Sequence, residues 1–352
     1  MPAEWETQEA IWLSWPHNKE DWPGKFVTIP WVYAEIIRYI SRKQRVRLIV
    51  KNTKQQVQAT ATLASVKANL NNIDFFIIPT NRVWLRDSAP TFVYQGKQRI
   101  LLDWKFNAWA KYDNWLHDSK ISKKIAEHLK LPIIQPTTTF NGKKIRIVLE
   151  GGAIDVNGKG SLIATEECLL SKTQLRNPGF TRTDYERIFA EYLGISQVIW
   201  LKKGIAGDDT HGHIDDLARF VNQDTIVTMS EKNKQDINYT SLKENLKILQ
   251  KARDQNGKLF NIIKLPMPKP VFFAGQRLPA SYANFLLTND WILVPVFNDP
   301  NDRVALNTIS ALFPRHNTVG IYCGDFVLGL GTIHCASQQE ISPKNHIKML
   351  LC

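Results

Sequence analysis

Cysteine is scarce in this sequence: four of the 352 residues are cysteines, and no two of them form a CxxC pair. So few cysteines in so long a chain do not make a disulfide framework, and we expect a reducing compartment, the cytoplasm. Long apolar runs are also missing. The best candidate, 285–297, is interrupted by Asn289 and Asp290, whereas a membrane-spanning helix needs about 18 or more apolar residues. The opening MPAEWETQEA lacks the basic and apolar regions of a secretory signal, so we expect no membrane partner.

Acidic residues are outnumbered, with 33 Asp and Glu against 45 Lys and Arg, which gives a formal net charge of +12. Such a charge can attract nucleic acid. The basic residues are scattered through predicted helices and loops, and no basic run is interleaved with aromatics as in an RNA-binding module. We interpret the charge as a solvated surface and expect no nucleic-acid partner. Nucleic-acid binding stays the non-enzyme alternative, and salt-sensitive binding would reveal it.

A period of about sixty residues is present in the predicted secondary structure. Helices are predicted to begin near residues 54, 118, 181, 241 and 301, at intervals of 64, 63, 60 and 60 residues, and a short apolar strand follows each one. A further helix is predicted at 31–41. A (β/α)₈ barrel would repeat about every 30 residues. Five units of strands plus helix instead predict an α/β fold with pseudo-five-fold symmetry, in one domain spanning 1–352.

Two capping boxes are predicted within this pattern. Thr183 with Glu186, and Ser241 with Glu244, have the spacing at which a hydroxyl and a carboxylate satisfy the free N–H groups of a helix start.

Four polar residues follow the same period. Asp87, Glu150 and His213 are each 63 residues apart, and Cys335 follows His213 by 122 residues. If each unit presents an equivalent loop to a common axis, these four side chains converge there.

The segment GTIHCASQQ places Cys335 after two glycines, Gly329 and Gly331, where the backbone can approach a ligand closely. A thiolate is a suitable nucleophile for the central carbon of a guanidinium group. The other cysteines, Cys168, Cys323 and Cys352, lie in apolar or terminal settings, and we interpret them as structural.

The segment GDDTHGHIDDLARF has four carboxylates and two histidines within 208–216, which favours a cationic ligand. If the segment is extended, His213 and Asp215 point to one face and Asp216 to the other. Zinc ligation by His211, His213 and Asp215 is the competing interpretation.

The segment NRVWLRDSAP supplies Trp84 and Asp87, an aromatic face and a carboxylate that suit a planar cation. In LEGGAID, Glu150 precedes two glycines at a sharp turn.

Together these segments resemble the agmatine deiminase and bacterial peptidylarginine deiminase family. The resemblance begins at PAEWETQEAIWLSWPHN and continues through WLRDSAPTFV, FNAWAKYDNW, TEECLL, RNPG, DDTHGHIDDLARFV, PASYANF and GTIHCASQQ, so it covers nearly the whole chain. It implies the five-bladed α/β propeller, or pentein fold, of guanidine-modifying enzymes.

The resemblance also implies roles for individual residues. It makes Cys335 the nucleophile, His213 the general acid and base, and Glu150 the carboxylate partner of that histidine. It makes Asp87 and Asp215 the acids that hold the guanidinium, with Trp84 lining the site.

The implied activity is hydrolysis of agmatine to N-carbamoylputrescine and ammonia through a covalent thiouronium on the cysteine, without metal or organic cofactor. Peptidylarginine or free arginine is the alternative substrate for the same chemistry. The expected partner is therefore a small cationic guanidine. A homo-oligomer is compatible with the sequence but not specified by it. Several positions depart from the family pattern, among them Asp216 in place of a common asparagine, and leave recognition of the substrate tail open.

Overall fold

The computed structural model describes residues 1–344, so Cys352 lies outside the described residues. Within that range the chain forms eight α-helices: α1 (Ile29–Ile40), α2 (Thr53–Ser65), α3 (Leu85–Ser88), α4 (Ile121–Leu129), α5 (Glu166–Leu170), α6 (Arg182–Leu193), α7 (Asn238–Leu249) and α8 (Pro300–Leu312). None of these helices combines the length and apolarity that crossing a membrane requires.

The same part of the chain forms twenty strands. They are β1 (Gln8–Ser14), β2 (Arg45–Val50), β3 (Ile73–Ile77), β4 (Thr91–Gln95), β5 (Gln98–Leu102), β6 (Ile133–Ile134), β7 (Thr137–Phe140), β8 (Lys143–Arg146), β9 (Asp155–Val156), β10 (Ser161–Thr165), β11 (Gln197–Leu201), β12 (Ala218–Phe220), β13 (Thr225–Ser230), β14 (Asn261–Pro266), β15 (Phe272–Phe273), β16 (Gln276–Arg277), β17 (Leu286–Leu287), β18 (Trp291–Val296), β19 (Asn317–Tyr322) and β20 (Ser337–Ile341).

Five of the sheets share one pattern. An antiparallel pair of strands is followed by a helical crossover, and the next strand pairs in parallel with the second member of the pair. The strand orders are β4-β5-β6, β9-β10-β11, β12-β13-β14, β17-β18-β19 and β20-β1-β2-β3. In the last of these, β20 pairs antiparallel with β1, so the beginning and end of the described chain share one sheet. The α/β class predicted from the sequence is confirmed.

The predicted amphipathic helix near residue 31 is α1, which begins two residues earlier, at Ile29. Its apolar residues Tyr33, Ile36, Ile37 and Ile40 recur at three- and four-residue intervals and are all buried, as predicted. Pro30 lies in its first turn, where its missing N–H would have had no helical partner.

Both predicted capping boxes are wrong. The box of α6 is formed two residues earlier, by Thr181 and Asp184. Helix α7 begins before Ser241, whose hydroxyl donates back to the carbonyl of Asn238, 3.2 Å away, so it is not available to cap the helix start. A second box, formed by Asp299 and Asp302 at α8, uses aspartates at both positions.

An aromatic group supports the loop that carries Cys335. Trp22 is fully buried, its ring lies beside those of Trp84 and Phe326, and its indole N–H donates to the Phe326 carbonyl at 2.8 Å. A Cβ at Gly329 would lie only 2.7 Å from the Trp22 ring, so this position has no room for a side chain. The packing thereby sets the path of the chain that leads to Cys335.

Candidate active site

A pocket of about 610 Å³ opens at the loops that follow several of the sheets. Three of the predicted site residues, Trp84, Asp87 and Cys335, line it. The other three are His213, Glu150 and Asp215, which lie behind its wall at 1%, 0% and 0% exposure. The structure therefore brings all six predicted residues together, although only half of them form the pocket surface.

The thiol of Cys335 is surrounded by polar groups. Its Sγ accepts a hydrogen bond from Asn284 Nδ2 at 3.0 Å and lies 3.5 Å from Asp215 Oδ2. Gly331 leaves the pocket open at this point, because a Cβ there would lie 3.0 Å from the Trp84 ring and 3.1 Å from the Cys335 Cβ. A planar group can thus enter between the indole and the thiol.

Asp87 is held on both of its carboxylate oxygens. The backbone N–H of Gly152 donates to Oδ1 and the indole N–H of Trp109 donates to Oδ2, each at 3.0 Å. Burial and the neighbouring carboxylates of Asp215 and Glu150 raise the pKa of Asp87 to about 6, although the imidazole of His213 opposes the shift. Asp87 therefore becomes ionised near neutral pH, at the surface of the pocket.

Asp215 is the first member of a buried chain of ionisable groups. Its Oδ2 is 2.7 Å from His334 Nδ1, and His334 Nε2 is 2.8 Å from Glu4 Oε2. Glu4 in turn pairs with Arg219 at 2.5 Å. The other oxygen of Asp215, Oδ1, has no hydrogen-bond partner among residues 1–344. One acceptor of this carboxylate is thus fixed in place while the other is available.

His213 lies between three carboxylates. Its Nε2 is 3.5 Å from Glu150 Oε2, and its Nδ1 is 3.8 Å from Asp87 Oδ1 and 4.0 Å from Asp215 Oδ1. A Cβ at Gly152 would lie 2.5 Å from His213 Nδ1. The imidazole ring therefore fits only because this position, two residues after Glu150, is a glycine.

The charges at the site follow from this arrangement. Burial alone would lower the pKa of His213, but Asp87 and Glu150 hold it well above its ordinary value, so the imidazole is protonated in the free protein. Burial and the carboxylates of Asp215, Asp216 and Asp87 raise the pKa of the Cys335 thiol well above its ordinary value. A cation entering the pocket would reverse this second effect.

A family model described as Porphyromonas-type peptidyl-arginine deiminase matches residues 1–340. The chain belongs to this family. It is 33% identical over 367 residues to the agmatine deiminase of Pseudomonas syringae pv. tomato, which covers 97% of this chain and 95% of the relative.

Two solved structures resemble this member of the peptidyl-arginine deiminase family closely. One is a Cys-to-Ser variant of the Campylobacter jejuni agmatine deiminase with substrate bound, at a TM-score of 0.85, 30% identity, and coverage of 97% of this chain and 96% of that one. The other is the agmatine deiminase of Enterococcus faecalis catalysing its reaction, at a TM-score of 0.87, 28% identity, and the same coverage.

The prediction that Asp216 points away from Asp215 is wrong. Ile214–Asp216 form a 3₁₀ turn rather than an extended strand, so alternation of faces does not apply. Asp216 is buried at 3% exposure, and carboxylate oxygens of Asp215 and Asp216 and the Sγ of Cys335 all lie within 4.8 Å of one another. In this family member the acid that replaces a common asparagine therefore lies beside the thiol.

Zinc ligation by His211, His213 and Asp215 has no geometric support in the described chain. The Nε2 of His211 is 3.1 Å from the hydroxyl of Ser171, and no group of potential ligands within residues 1–344 includes His211. Glu150, Cys168 and His213 do lie within 4.8 Å of one another. Glu150, however, already faces a guanidinium and the protonated imidazole of His213, which disfavours a further cation there.

That guanidinium belongs to Arg176, which lies in the segment RNPG and is not among the site residues predicted from the sequence. Its Nε lies 3.1 Å and 3.3 Å from the two oxygens of Glu150, and both side chains are fully buried. Its remaining nitrogens donate to the carbonyls of Gln174 and Thr210. Burial would raise the pKa of Glu150, but Arg176 and His213 hold it below the ordinary value.

We expect Arg176→Met to lower the free energy of unfolding by about 3–5 kcal/mol, because it leaves a buried carboxylate without its cation. Urea denaturation at pH 7 measures this. The pair stabilises the protein fully above the ordinary pKa of 4.5, and its contribution is lost as the pH falls through the lower pKa of folded Glu150. The difference between the two proteins should therefore shrink in acid.

Arg187 provides the matched control, since it is half-exposed and lies 3.5 Å from Asp184 on the surface of α6. Arg187→Met should cost no more than about 1 kcal/mol. Equal losses for the two variants would contradict a special role of the buried pair.

Three further side chains of the site were missed as well. Trp109, Asn284 and His334 contact Asp87, Cys335 and Asp215 respectively. Each of them lies in a segment that carries the family resemblance, which was the only signal available for them. Cys168, interpreted as structural, lies beside His213 and Glu150.

Proposed function

We propose that this protein hydrolyses the guanidinium group of agmatine to N-carbamoylputrescine and ammonia, with Cys335 as nucleophile. The observation that carries the proposal is the thiol of Cys335 at the wall of a pocket, flanked by the carboxylates of Asp87 and Asp215. Two relatives support the proposal. The Enterococcus faecalis protein is an agmatine deiminase described as catalysing its reaction, and the Campylobacter jejuni agmatine deiminase holds substrate in a Cys-to-Ser variant.

Binding of the guanidinium uses two carboxylates and an aromatic face. Asp87 and the free Oδ1 of Asp215 accept hydrogen bonds from its N–H groups, and Trp84 covers its plane. The positive charge of the ligand offsets the surrounding carboxylates, so the thiol of Cys335 loses its proton to solvent as the ligand enters.

The first half of the reaction forms a carbon–sulfur bond. The thiolate attacks the central carbon and gives a neutral tetrahedral adduct. His213, which is protonated in the free protein, donates its proton to one nitrogen, the carbon–nitrogen bond breaks, and ammonia leaves. A thiouronium group then remains on Cys335, and Glu150 lies next to the neutral imidazole.

The second half of the reaction removes this group. His213 takes a proton from water while the oxygen attacks the same carbon. Collapse of the adduct breaks the carbon–sulfur bond, returns the thiolate and releases the urea product. The remaining hydroxyl proton goes to the departed ammonia, so the overall reaction yields ammonium and a neutral ureido group.

The charges around the outer pocket favour agmatine over arginine. Glu20, Asp21, Asp113 and Asp209 line the pocket, and because Asp21 is paired with Arg82 and Asp209 with Lys111, Glu20 and Asp113 are the two without an ion pair among residues 1–344. A ligand with an amine at its far end is attracted by these acids, whereas the α-carboxylate of arginine is repelled.

Arg82 is the basic residue among the pocket-lining groups of the described chain. Its guanidinium lies 3.5 Å from Asp21, donates to Asn114 at 2.6 Å and stacks on the ring of Tyr112. Because Nη1 of Arg82 is bound by Asn114 and its guanidinium is already paired with Asp21, it is a weak partner for the carboxylate of a ligand.

An ammonia-release assay tests the proposal. The purified protein is supplied in parallel with agmatine, arginine and an arginine peptide blocked at both ends. We expect kcat/KM for agmatine to exceed the other two by at least about a hundredfold, because arginine brings a carboxylate to the acidic pocket, which costs several kcal/mol, and the blocked peptide lacks the amine that these acids attract. Comparable turnover of the blocked peptide would instead favour a peptidylarginine deiminase.

We expect activity to be independent of metal, because the proposed chemistry needs only side chains of this chain. Incubation with EDTA followed by gel filtration should leave ammonia release unchanged within error. Loss of activity that added zinc restores would contradict this expectation and favour a metallohydrolase.

The proposal extends to architecture and location. The five sheets of equal pattern support a five-bladed α/β propeller, formed by one catalytic domain that spans 1–352. The scarcity of cysteine supports a location in the cytoplasm. The proposed partner is a small cationic guanidine, and no nucleic-acid or membrane partner is proposed.

A further inference from the structure

Asn284 lies in the segment between β16 and β17 and is fully buried against the loop of Cys335. Its carbonyl oxygen Oδ1 accepts three hydrogen bonds from that loop. The donors are the hydroxyl of Thr332 at 2.7 Å, the backbone N–H of His334 at 3.1 Å and the backbone N–H of Cys335 at 3.3 Å. The side chain of Asn284 therefore ties the loop together from outside it.

These three contacts also determine which way the amide points. Backbone N–H groups can only donate, so the side-chain atom that faces His334 and Cys335 must be the oxygen. The NH₂ group is thereby directed at Cys335 Sγ, 3.0 Å away. Among the hydrogen bonds within residues 1–344, it is the one that this sulfur accepts.

The surroundings of the sulfur otherwise oppose ionisation. Burial and the carboxylates of Asp215, Asp216 and Asp87 all raise the pKa of the thiol, whereas the Asn284 hydrogen bond lowers it. A hydrogen bond to an anion is roughly twice as strong as one between neutral groups. The contact with Asn284 is therefore stronger when the sulfur is a thiolate than when it is a thiol.

We propose that Asn284 is a further catalytic residue, whose side-chain N–H stabilises the thiolate of Cys335 and holds its sulfur in place for attack. It donates a hydrogen bond throughout and neither gains nor loses a proton. The stabilisation is needed twice, when the thiol ionises before attack and when the carbon–sulfur bond breaks at the end. The proposal rests on the proposed function only in taking Cys335 as the nucleophile.

The test measures the thiol directly, without substrate. The rate of Cys335 alkylation by iodoacetamide is followed from pH 6 to pH 10 by mass spectrometry of the peptide 331–339. The variants are Asn284→Ala, which removes the donor, and Asn284→Asp, which replaces it with an acceptor of the same shape.

Asn245 provides a matched control. It is also fully buried, its Oδ1 accepts from the backbone N–H of Lys202 at 2.8 Å, and its Nδ2 donates to the carbonyl of Lys203 at 2.7 Å. Asn245→Asp disturbs a buried amide of similar bonding that has no thiol beside it. Urea denaturation of all variants separates stability from thiol reactivity.

We expect Asn284→Ala to slow alkylation at pH 8 by about tenfold and to move the midpoint of the pH–rate curve upward by about one unit, the size of one hydrogen bond to a charged group. Asn284→Asp should show a larger shift, since it places a fourth carboxylate beside the sulfur. In ammonia release, kcat should fall in both variants far more than KM rises. Asn245→Asp should change the urea midpoint and leave the alkylation curve in place.

An unchanged alkylation curve in both Asn284 variants would overturn the proposal, even if their ammonia release fell. If Asn284→Ala does not fold, Asn284→Ser is compared with Asn284→Asp instead, because serine keeps a small donor at this position and aspartate does not. Serine should then react faster than Asn284→Asp, and equal rates would also overturn the proposal. Failure of the proposed function looks different: the wild-type protein would release no ammonia from agmatine, while the alkylation curves would still differ.

Discussion

Cys335→Ala is expected to abolish ammonia release from agmatine while the protein remains folded. The change removes the sulfur that attacks the guanidinium, and no other nucleophile lines the pocket near Asp87 and Trp84 among the described residues. It removes little volume from a site that is already open to the pocket. The free energy of unfolding measured in urea should therefore change by no more than about 1 kcal/mol. Cys335→Ser should be nearly as inactive, because a hydroxyl is far harder to ionise than a thiol.

Acid quenching of the wild-type protein during turnover should trap an amidino adduct on the peptide 331–339, detected by mass spectrometry. Cys323→Ala is the matched control, since Cys323 is fully buried and lies outside the set of residues that line the pocket. It should retain activity. Cys168 is less suitable as a control because it lies beside His213. Activity in Cys335→Ala, or an adduct found only on Cys168, would refute the assignment of the nucleophile.

Asp87→Asn is expected to lower kcat/KM for agmatine by roughly a hundredfold or more, because losing one partner of a buried charge pair costs about 2–5 kcal/mol. Asp215→Asn should have a similar effect. Because the pKa of Asp87 is about 6, protonation below that pH should remove the charge that binds the guanidinium. The kcat/KM of the wild-type protein should therefore rise with pH more steeply below about 6, where both Asp87 and the Cys335 thiol must lose a proton, than above it, where only the thiol must.

The control for this prediction cannot be a neighbouring aspartate. Asp208 accepts hydrogen bonds from the backbone N–H groups of Gly212 and His213, and Asp216 lies beside the thiol. Asp224 is exposed and lies outside the pocket, so Asp224→Asn should leave both kcat/KM and its pH profile unchanged. An Asp87→Asn protein that keeps the wild-type rise near pH 6 would show that another group is responsible for it.

The repeating architecture could be predicted from the sequence because helix and strand periodicities are local. The starts of α1, α4 and α6 lie within about three residues of the predicted positions. The capping boxes could not be placed, since several residues near each helix start had the required spacing. Which hydroxyl caps depends on where the chain enters the helix, and that is decided by packing.

The convergence of the site was predicted from the period together with the chemistry of the side chains, and the structure places Asp87, Glu150, His213 and Cys335 together. The error at Asp216 has a local cause. The sequence pattern predicts an extended run from His213 to Asp216, but the run turns, and one turn in a short segment changes which side chains share a face.

The sequence by itself determined the fold class, the family and the six residues proposed for the site, because each of these is expressed in local motifs or in their spacing. Only the tertiary structure decided what holds those residues in place. Arg176 reaches Glu150 across 26 positions, Asn284 reaches Cys335 across 51, and His334 reaches Asp215 across 119. The separations of 26 and 51 residues do not follow the sixty-residue period, and each of these hydrogen bonds depends on distances of about 3 Å that only the folded chain sets.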